Sequence, residues 1–320
     1  MKICSLYLSL LLLFSCGCTK KTATEDLHDK KKILCTIAMI SDLVQKIAED
    51  NAVVVTLIQG QHDPHSYQLV KGDDEKFLNA DCIFYCGLGL EHGSSLTVQL
   101  HDNPKAHSLG AFLEKNNAAL ISIDQITDPH IWMDVQLWSQ TIPYIVDTLS
   151  ALDPQHAAQF QENGKKVQRE LQELDATIRS TLQQIPKEKR YLVTTHDAFH
   201  YFGRSYLAEA NELCDSSWRV RVQAPEGLAP ESQMSTADIH KLVEHLITNK
   251  IGAIFSESNV SSDSIRKLVD ACSKRGFQVH IAKKPLFADS MGAKSSEADS
   301  YQKMMLYNTK IIRHELCPES

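Results

Sequence analysis

Short apolar runs alternate with amphipathic stretches over most of the chain. Runs at 33–37, 53–58, 82–85 and 119–123 are rich in Val, Ile, Leu, Cys and aromatic residues and predict strands. Between them, the segments 41–50, 72–80 and 92–100 carry helical periodicity, with Ser41 and Asp73 placed near N-cap positions. The same rhythm returns past residue 190, with strands predicted at 191–195, 218–222, 253–255 and 278–281. Strand and helix in alternation imply parallel sheets covered by helices. The predicted class is therefore α/β: two lobes, each with a mainly parallel sheet, at 33–150 and 187–320. One long helical pattern at 151–186 joins them. It opens with Asp153-Pro154, an N-cap followed by proline at the first helical position, and Pro186 ends it. Phe160, Val167, Leu171, Leu174, Ile178, Leu182 and Ile185 recur at intervals of three, four and seven. Such a helix would run about 45–50 Å and act as a stiff strut that resists hinge bending.

The beginning of the chain follows another pattern. Met1-Lys2, an apolar stretch at 3–14 and Ser15-Cys16 make a secretory leader at 1–15, too short for a membrane span. Leu13-Phe14-Ser15-Cys16 fits a bacterial lipobox with Cys16 as the lipidated residue, a better match than Cys18. The polar stretch at 16–32 then reads as a tether holding the protein at a bacterial membrane, periplasmic or at the cell surface. A net charge of −7 with no basic stripe excludes a nucleic-acid partner. Of nine cysteines, Cys35, Cys82, Cys86, Cys214, Cys272 and Cys317 lie beyond the processing site. Export permits disulfides, but Cys82 and Cys86, about 13 Å apart along a strand, cannot bridge each other. With no C-x-x-C spacing, thiolates are poor candidates for a metal site.

Imidazole is a better one. Asp-Pro-His occurs twice, at Asp63-Pro64-His65 and Asp128-Pro129-His130, and His196 follows the apolar run at 191–195. Neutral imidazole is the commonest ligand for first-row metals, and the proline before each His stiffens the turn that presents it. These histidines follow predicted strands in both lobes, so a metal would sit in the cleft between them. A fourth ligand is expected beyond the last strand, where Asp289 lies in a turn. Asp63, Asp128 and Asp197 read as turn formers or as acceptors for imidazole N–H. His62 lies near the cleft mouth, Trp132 and Trp138 read as core, and Glu226 and Glu231 as parts of a surface loop. His196-Asp197-Ala198-Phe199-His200 has the spacing of a zincin helix motif with Asp replacing Glu, so a zinc-dependent metalloenzyme is the main alternative. But His196 ends a strand, which leaves His200 as a packed or surface residue whose loss should matter little.

The chain resembles the solute-binding lipoproteins of bacterial zinc, manganese and iron ABC transporters, the TroA/ZnuA-like group. The resemblance covers nearly all of the mature chain. It is carried by 36–44, both Asp-Pro-His segments, Tyr85-Cys86-Gly87-Leu88-Gly89-Leu90-Glu91, 192–199, Ala253-Ile254-Phe255-Ser256-Glu257 and Phe287-Ala288-Asp289-Ser290-Met291-Gly292. It implies metal ligation by His65, His130, His196 and Asp289. It also implies a lipid-anchored monomer that is not an enzyme and delivers zinc, manganese or iron to a permease in the inner membrane. A surface adhesin is a further alternative. Two departures from the family pattern leave the metal open: 105–127 holds only His107 where some zinc importers carry a His- and acid-rich loop, and His196 stands where the manganese group usually has Glu.

Overall fold

The computed structural model describes residues 30–230 and 235–318; the leader, Cys16, Cys18, His28 and Glu231 lie outside them. The first half runs β1 (Lys31–Cys35), α1 (Ala38–Ala48), β2 (Ala52–Thr56), α2 (Asp73–Asn79), β3 (Cys82–Tyr85), α3 (Ser94–Leu100), β4 (Ala106–Ser108) and α4 (Leu109–Lys115). There follow β5 (Ser122–Ile123), β6 (Ile126–Thr127), α5 (Val135–Ser139), α6 (Ile142–Leu152) and α7 (Ala157–Leu182). The second half contains β7 (Leu192–Val193), α8 (His200–Phe202), α9 (Glu212–Asp215), β8 (Val222–Gln223) and α10 (Thr236–Thr248). It ends with β9 (Ala253–Ile254), α11 (Asp263–Lys274), β10 (His280–Ile281) and α12 (Tyr301–Leu316).

The first sheet is parallel in the order β2-β1-β3-β4, with Ile33 opposite Val54 on one side and Cys82 on the other. Ile33, Leu34, Ile83 and Phe84 are buried, as a parallel sheet covered on both faces requires. In the second half β7 pairs with β8 and β9 with β10, both parallel. Phe255 N–H donates to the Val193 carbonyl at 2.8 Å and sets the two ribbons side by side.

Several boundaries differ from expectation, each for a local reason. Strand β1 opens at Lys31, inside the expected tether, because the Lys32 N–H finds Asp81 Oδ2 at 2.8 Å. Helix α1 begins at Ala38, so Ser41 is not its cap; its hydroxyl bonds the Ile37 carbonyl and receives Thr56 Oγ1 at 2.8 Å. The predicted strand at 119–123 shrinks to one arm of a two-residue antiparallel ribbon, since Asp124 and Gln125 both take positive φ, the signature of a tight hairpin turn. The fourth parallel strand is instead β4, three half-buried residues around His107 with no apolar run to mark them. Residues 217–221 coil into a 3₁₀ turn and leave only Val222–Gln223 extended.

Helix α7 has 26 residues, about 39 Å of α-helix, and a 3₁₀ turn at Pro154–His156 precedes it. Its buried stripe of Phe160, Val167, Leu171, Leu174, Ile178 and Leu182 packs on α1, α5, α6 and α12. One hydrophobic core runs from Ile33 of β1 through this stripe to Phe255, Leu286 and Met304. A smaller core around Leu246, Ile254 and Leu268 lies beneath α10 and α11. The six cysteines in the described residues are free, and no helix there is long and apolar enough to cross a membrane.

Candidate metal centre

The His65 turn begins with an aspartate. Asp63 Oδ1 accepts the His65 N–H at 2.9 Å and its other oxygen takes the Ser66 hydroxyl at 2.6 Å. The second copy builds the same turn and goes further. Asp128 Oδ1 accepts both the His130 N–H at 2.9 Å and the ring Nδ1 at 2.7 Å. Cys86 Sγ holds the Pro129 carbonyl at 3.2 Å, and Tyr201 donates to the Asp128 carbonyl at 2.9 Å. His130 follows β6 of the antiparallel ribbon rather than the parallel strand expected at 119–123.

His196 follows β7, where Glu257 fixes it. One Glu257 oxygen accepts the Thr195 and His196 N–H groups at 2.9 Å each, and the other stands 2.6 Å from His196 Nδ1. Asp289, past β10, is placed by interlobe bonds on either side of it. Trp132 Nε1 donates to the Ala288 carbonyl at 2.9 Å, Tyr301 donates to the Trp132 carbonyl at 2.6 Å, and Gln61 Nε2 donates to the Met291 carbonyl at 3.2 Å.

His65, His130, His196 and Asp289 thus converge, all buried, with one potential ligand atom from each lying within 4.8 Å of the others. His65 Nε2 is 3.2 Å from His130 Nε2, while Asp289 lies 3.4 Å from His130 Nε2, 3.1 Å from His196 Nε2 and 3.8 Å from His65 Nε2. Four ligands about 2.1 Å from a tetrahedral ion stand about 3.4 Å apart, so the spacing fits a first-row divalent cation. The ring orientations fit as well. Carboxylates stand at the Nδ1 atoms of His130 and His196, so both Nε2 atoms face inward with the Asp289 oxygens, where a metal would meet them.

Burial pushes the His65 imidazole down to about 3, only partly opposed by the pull of Asp289. Burial would lower His196 too, but Glu257 and Asp289 together outweigh it and hold that imidazole well above its ordinary value. Asp289 is buried as well, yet the three imidazoles keep it below the usual carboxylate range.

Two partners were missed in the sequence. Glu257 was visible only as the acidic end of a motif that carries the resemblance, with no role attached. Glu91 accepts from Thr36 Oγ1, Cys86 N and Gly87 N at 2.7–2.9 Å and locks the turn after β3. Gly87 has φ +77 there, and a Cβ on it would meet Ser108 Oγ at 2.2 Å. His200 is packed, with Nδ1 3.1 Å from Asp128 Oδ2, so it supports His130 and does not enter the cluster. Asp197 faces His200 Nε2 at 3.6 Å rather than a clustered imidazole. Glu226 is half-buried, and its backbone bridges to His196. His62 is exposed against Tyr67, and Trp132 and Trp138 are core as expected.

A buried group of three imidazoles and one carboxylate is a donor set suited to a first-row divalent cation, the arrangement of a metal-binding protein. The chain belongs to the family described as zinc-uptake complex component A, periplasmic, whose model matches residues 33–315. It is similar to the metal-binding protein YtgA of Chlamydia muridarum, 38% identical over 301 residues, 94% of this chain and 90% of that one. It is also similar to the manganese-binding lipoprotein MntA of Bacillus subtilis, 30% identical over 301 residues, 94% of each chain. The crystal structure of Fe(III)-bound YtgA from Chlamydia trachomatis superposes with a TM-score of 0.85 at 38% identity, over 90% of this chain and 98% of that one. The chain is accordingly a metal-binding component of an ABC uptake system and not an enzyme, which overturns the metalloenzyme alternative.

Proposed function

We propose that the protein captures one divalent transition metal between its lobes through His65, His130, His196 and Asp289 and passes it to a membrane permease. The observation that carries this reading is the convergence of those four buried side chains within 4.8 Å. A filled shell of four protein ligands keeps no open position for reactive water, as carriage rather than catalysis requires. Residues 33–150 and 187–320 are taken as the two ligand-bearing lobes and 151–186 as their connection.

The relatives differ in the metal their names record: zinc for the family, manganese for MntA, iron for the YtgA structure. For a set of nitrogens and one oxygen, intrinsic affinity follows the Irving–Williams order, so the isolated protein should hold Zn²⁺ more tightly than Mn²⁺ or Fe²⁺. Competition titrations of the three ions against a common chelator test this, and tighter Mn²⁺ than Zn²⁺ refutes it. We also propose a monomer held to the membrane by lipid on Cys16. MntA is named a lipoprotein, and Leu13-Phe14-Ser15-Cys16 supplies the processing site. A mature N-terminus beyond Cys18, measured by mass spectrometry, would remove the anchor, and light scattering tests the monomer.

A further inference from the structure

A cavity of about 480 Å³ opens beside the metal centre, and of the four clustered side chains only His65 lies on its wall. Most of the lining is apolar, with Leu88, Ile123, Pro129 and Leu228 among it, while His92, Asp124 and Asp197 bring polar groups. A divalent ion stripped of water gains nothing from such walls, so passage requires ligands along the way. His92 is placed to be one. Its ring centroid is 5.7 Å from that of His65, inside the range of 5.2–6.0 Å that separates the three clustered imidazoles from one another. Two rings at this separation can share an ion. The His92 ring is also oriented: its Nδ1 meets the Gly89 carbonyl at 3.1 Å, in the turn that Glu91 locks through Cys86 and Gly87.

We infer that His92 and His65 form an outer position for a divalent cation, occupied in transit between solvent and the buried centre. His65 is the shared ligand, turning from His92 toward His130, His196 and Asp289 as the ion moves inward. The inference rests on the proposed ligand set and adds a route to it. A transit ligand stabilises the barrier and not the end state, so its loss slows entry and exit by the same factor and leaves affinity unchanged.

The test is rapid mixing of the full mature protein with Zn²⁺, together with release into excess chelator. His92→Gln should slow both rates about tenfold, a modest part of what charge and ligand arrangement contribute to association, with an unchanged Kd and apo melting temperature. His92→Asp, which restores an oxygen ligand, should recover part of both rates. Unaltered rates overturn the inference, and so does faster release alone, which would make His92 a ligand of the bound state. Equilibrium titration of His196→Ala tests the ligand set separately: if it holds Zn²⁺ as tightly as the parent, that reading fails whatever His92 does.

Discussion

The two Asp-Pro-His copies share a sequence and a turn, yet they hold their histidines differently. In the first, Asp63 is only half-buried and divides its oxygens between a backbone N–H and the Ser66 hydroxyl. In the second, Asp128 is fully buried and reaches the ring of its own His as well as that of His200, while Cys86 and Tyr201 pin the backbone around it. The tripeptide therefore encodes a presentation angle. Burial and distant partners decide whether the imidazole it presents is fixed by a carboxylate. His130 and His196 belong to the fixed class, through Asp128 and Glu257. His65 sits on the loop that also faces the cavity, where the inferred transfer needs a ligand that moves.

The largest effects should come from removing the proposed ligands. His130→Ala and His196→Ala leave three ligands and also strand a buried carboxylate without its imidazole, so each should lower Zn²⁺ affinity by more than about a hundredfold, the upper range for disturbing an outer partner alone. His65→Ala strands no such carboxylate and should be the mildest of the three, although still severe. Competition titration orders them, and a mildest effect at His130 would break the distinction between fixed and mobile ligands.

The outer partners come next. Asp128→Asn should cost about 10–100-fold in affinity, because the amide no longer stabilises the ring tautomer that points Nε2 inward. Asp63→Asn should cost less, since a carbonyl oxygen can still take the His65 N–H. Equal losses at the two sites would mean that the turn, and not the ring contact, is what each aspartate supplies.

The pH dependence follows from the opposed shifts of two ligands. His65, held down to about 3, is already neutral and has no proton to release above that value. His196, held above its ordinary value by Glu257 and Asp289 against burial, carries one in the metal-free protein, and metal must expel it. Affinity should thus rise with pH toward the raised His196 value, because metal must expel the proton that Glu257 and Asp289 hold on that ring. The sign for the empty protein is opposite. The raised imidazole contributes stability that is full below about 6.5 and is lost as pH rises through the folded value. Titrations at several pH values and melting curves of the empty protein read the two signs separately.

Much of the centre was legible in the sequence because the chemistry repeats in it: two copies of one tripeptide, a His at a strand end, and an Asp in a family motif. Asp128 was legible as an imidazole acceptor, but Glu257 and Glu91 were not legible as supports, because Glu257 reaches His196 across 61 residues and Glu91 reaches Thr36 across 55. No spacing rule carries such contacts. The alternation of strands and helices was plain where apolar runs were long, as at 33–37 and 82–85. It failed at β4, whose His107 interrupts any run, and at Asp124-Gln125, where two consecutive left-handed residues turn an expected parallel strand back on itself.

The smallest effect should be at His200, a residue whose spacing from His196 suggested a ligand and which the strand end at His196 left as a packed or surface residue. It is packed, against Asp128. Its Nδ1 binds the Asp128 oxygen that His130 does not use, and its Nε2 stands 3.6 Å from Asp197. Burial opposes its charge, but Asp128 and Asp197 outweigh that and raise its value, which favours the charged form beside Asp128. A cation there draws carboxylate charge away from His130 and weakens the hold on the His130 ring proton. His200→Gln keeps a hydrogen-bond donor and removes the charge, and should shift Zn²⁺ affinity by only a few-fold, well under the loss at Asp128. His200→Ala leaves that oxygen of Asp128 without its donor in a buried site and should cost more, up to about tenfold. Equilibrium titration of both variants separates charge from hydrogen bonding. If His200→Ala is as damaging as His196→Ala, His200 is itself a ligand and the division between the cluster and its supports must be redrawn.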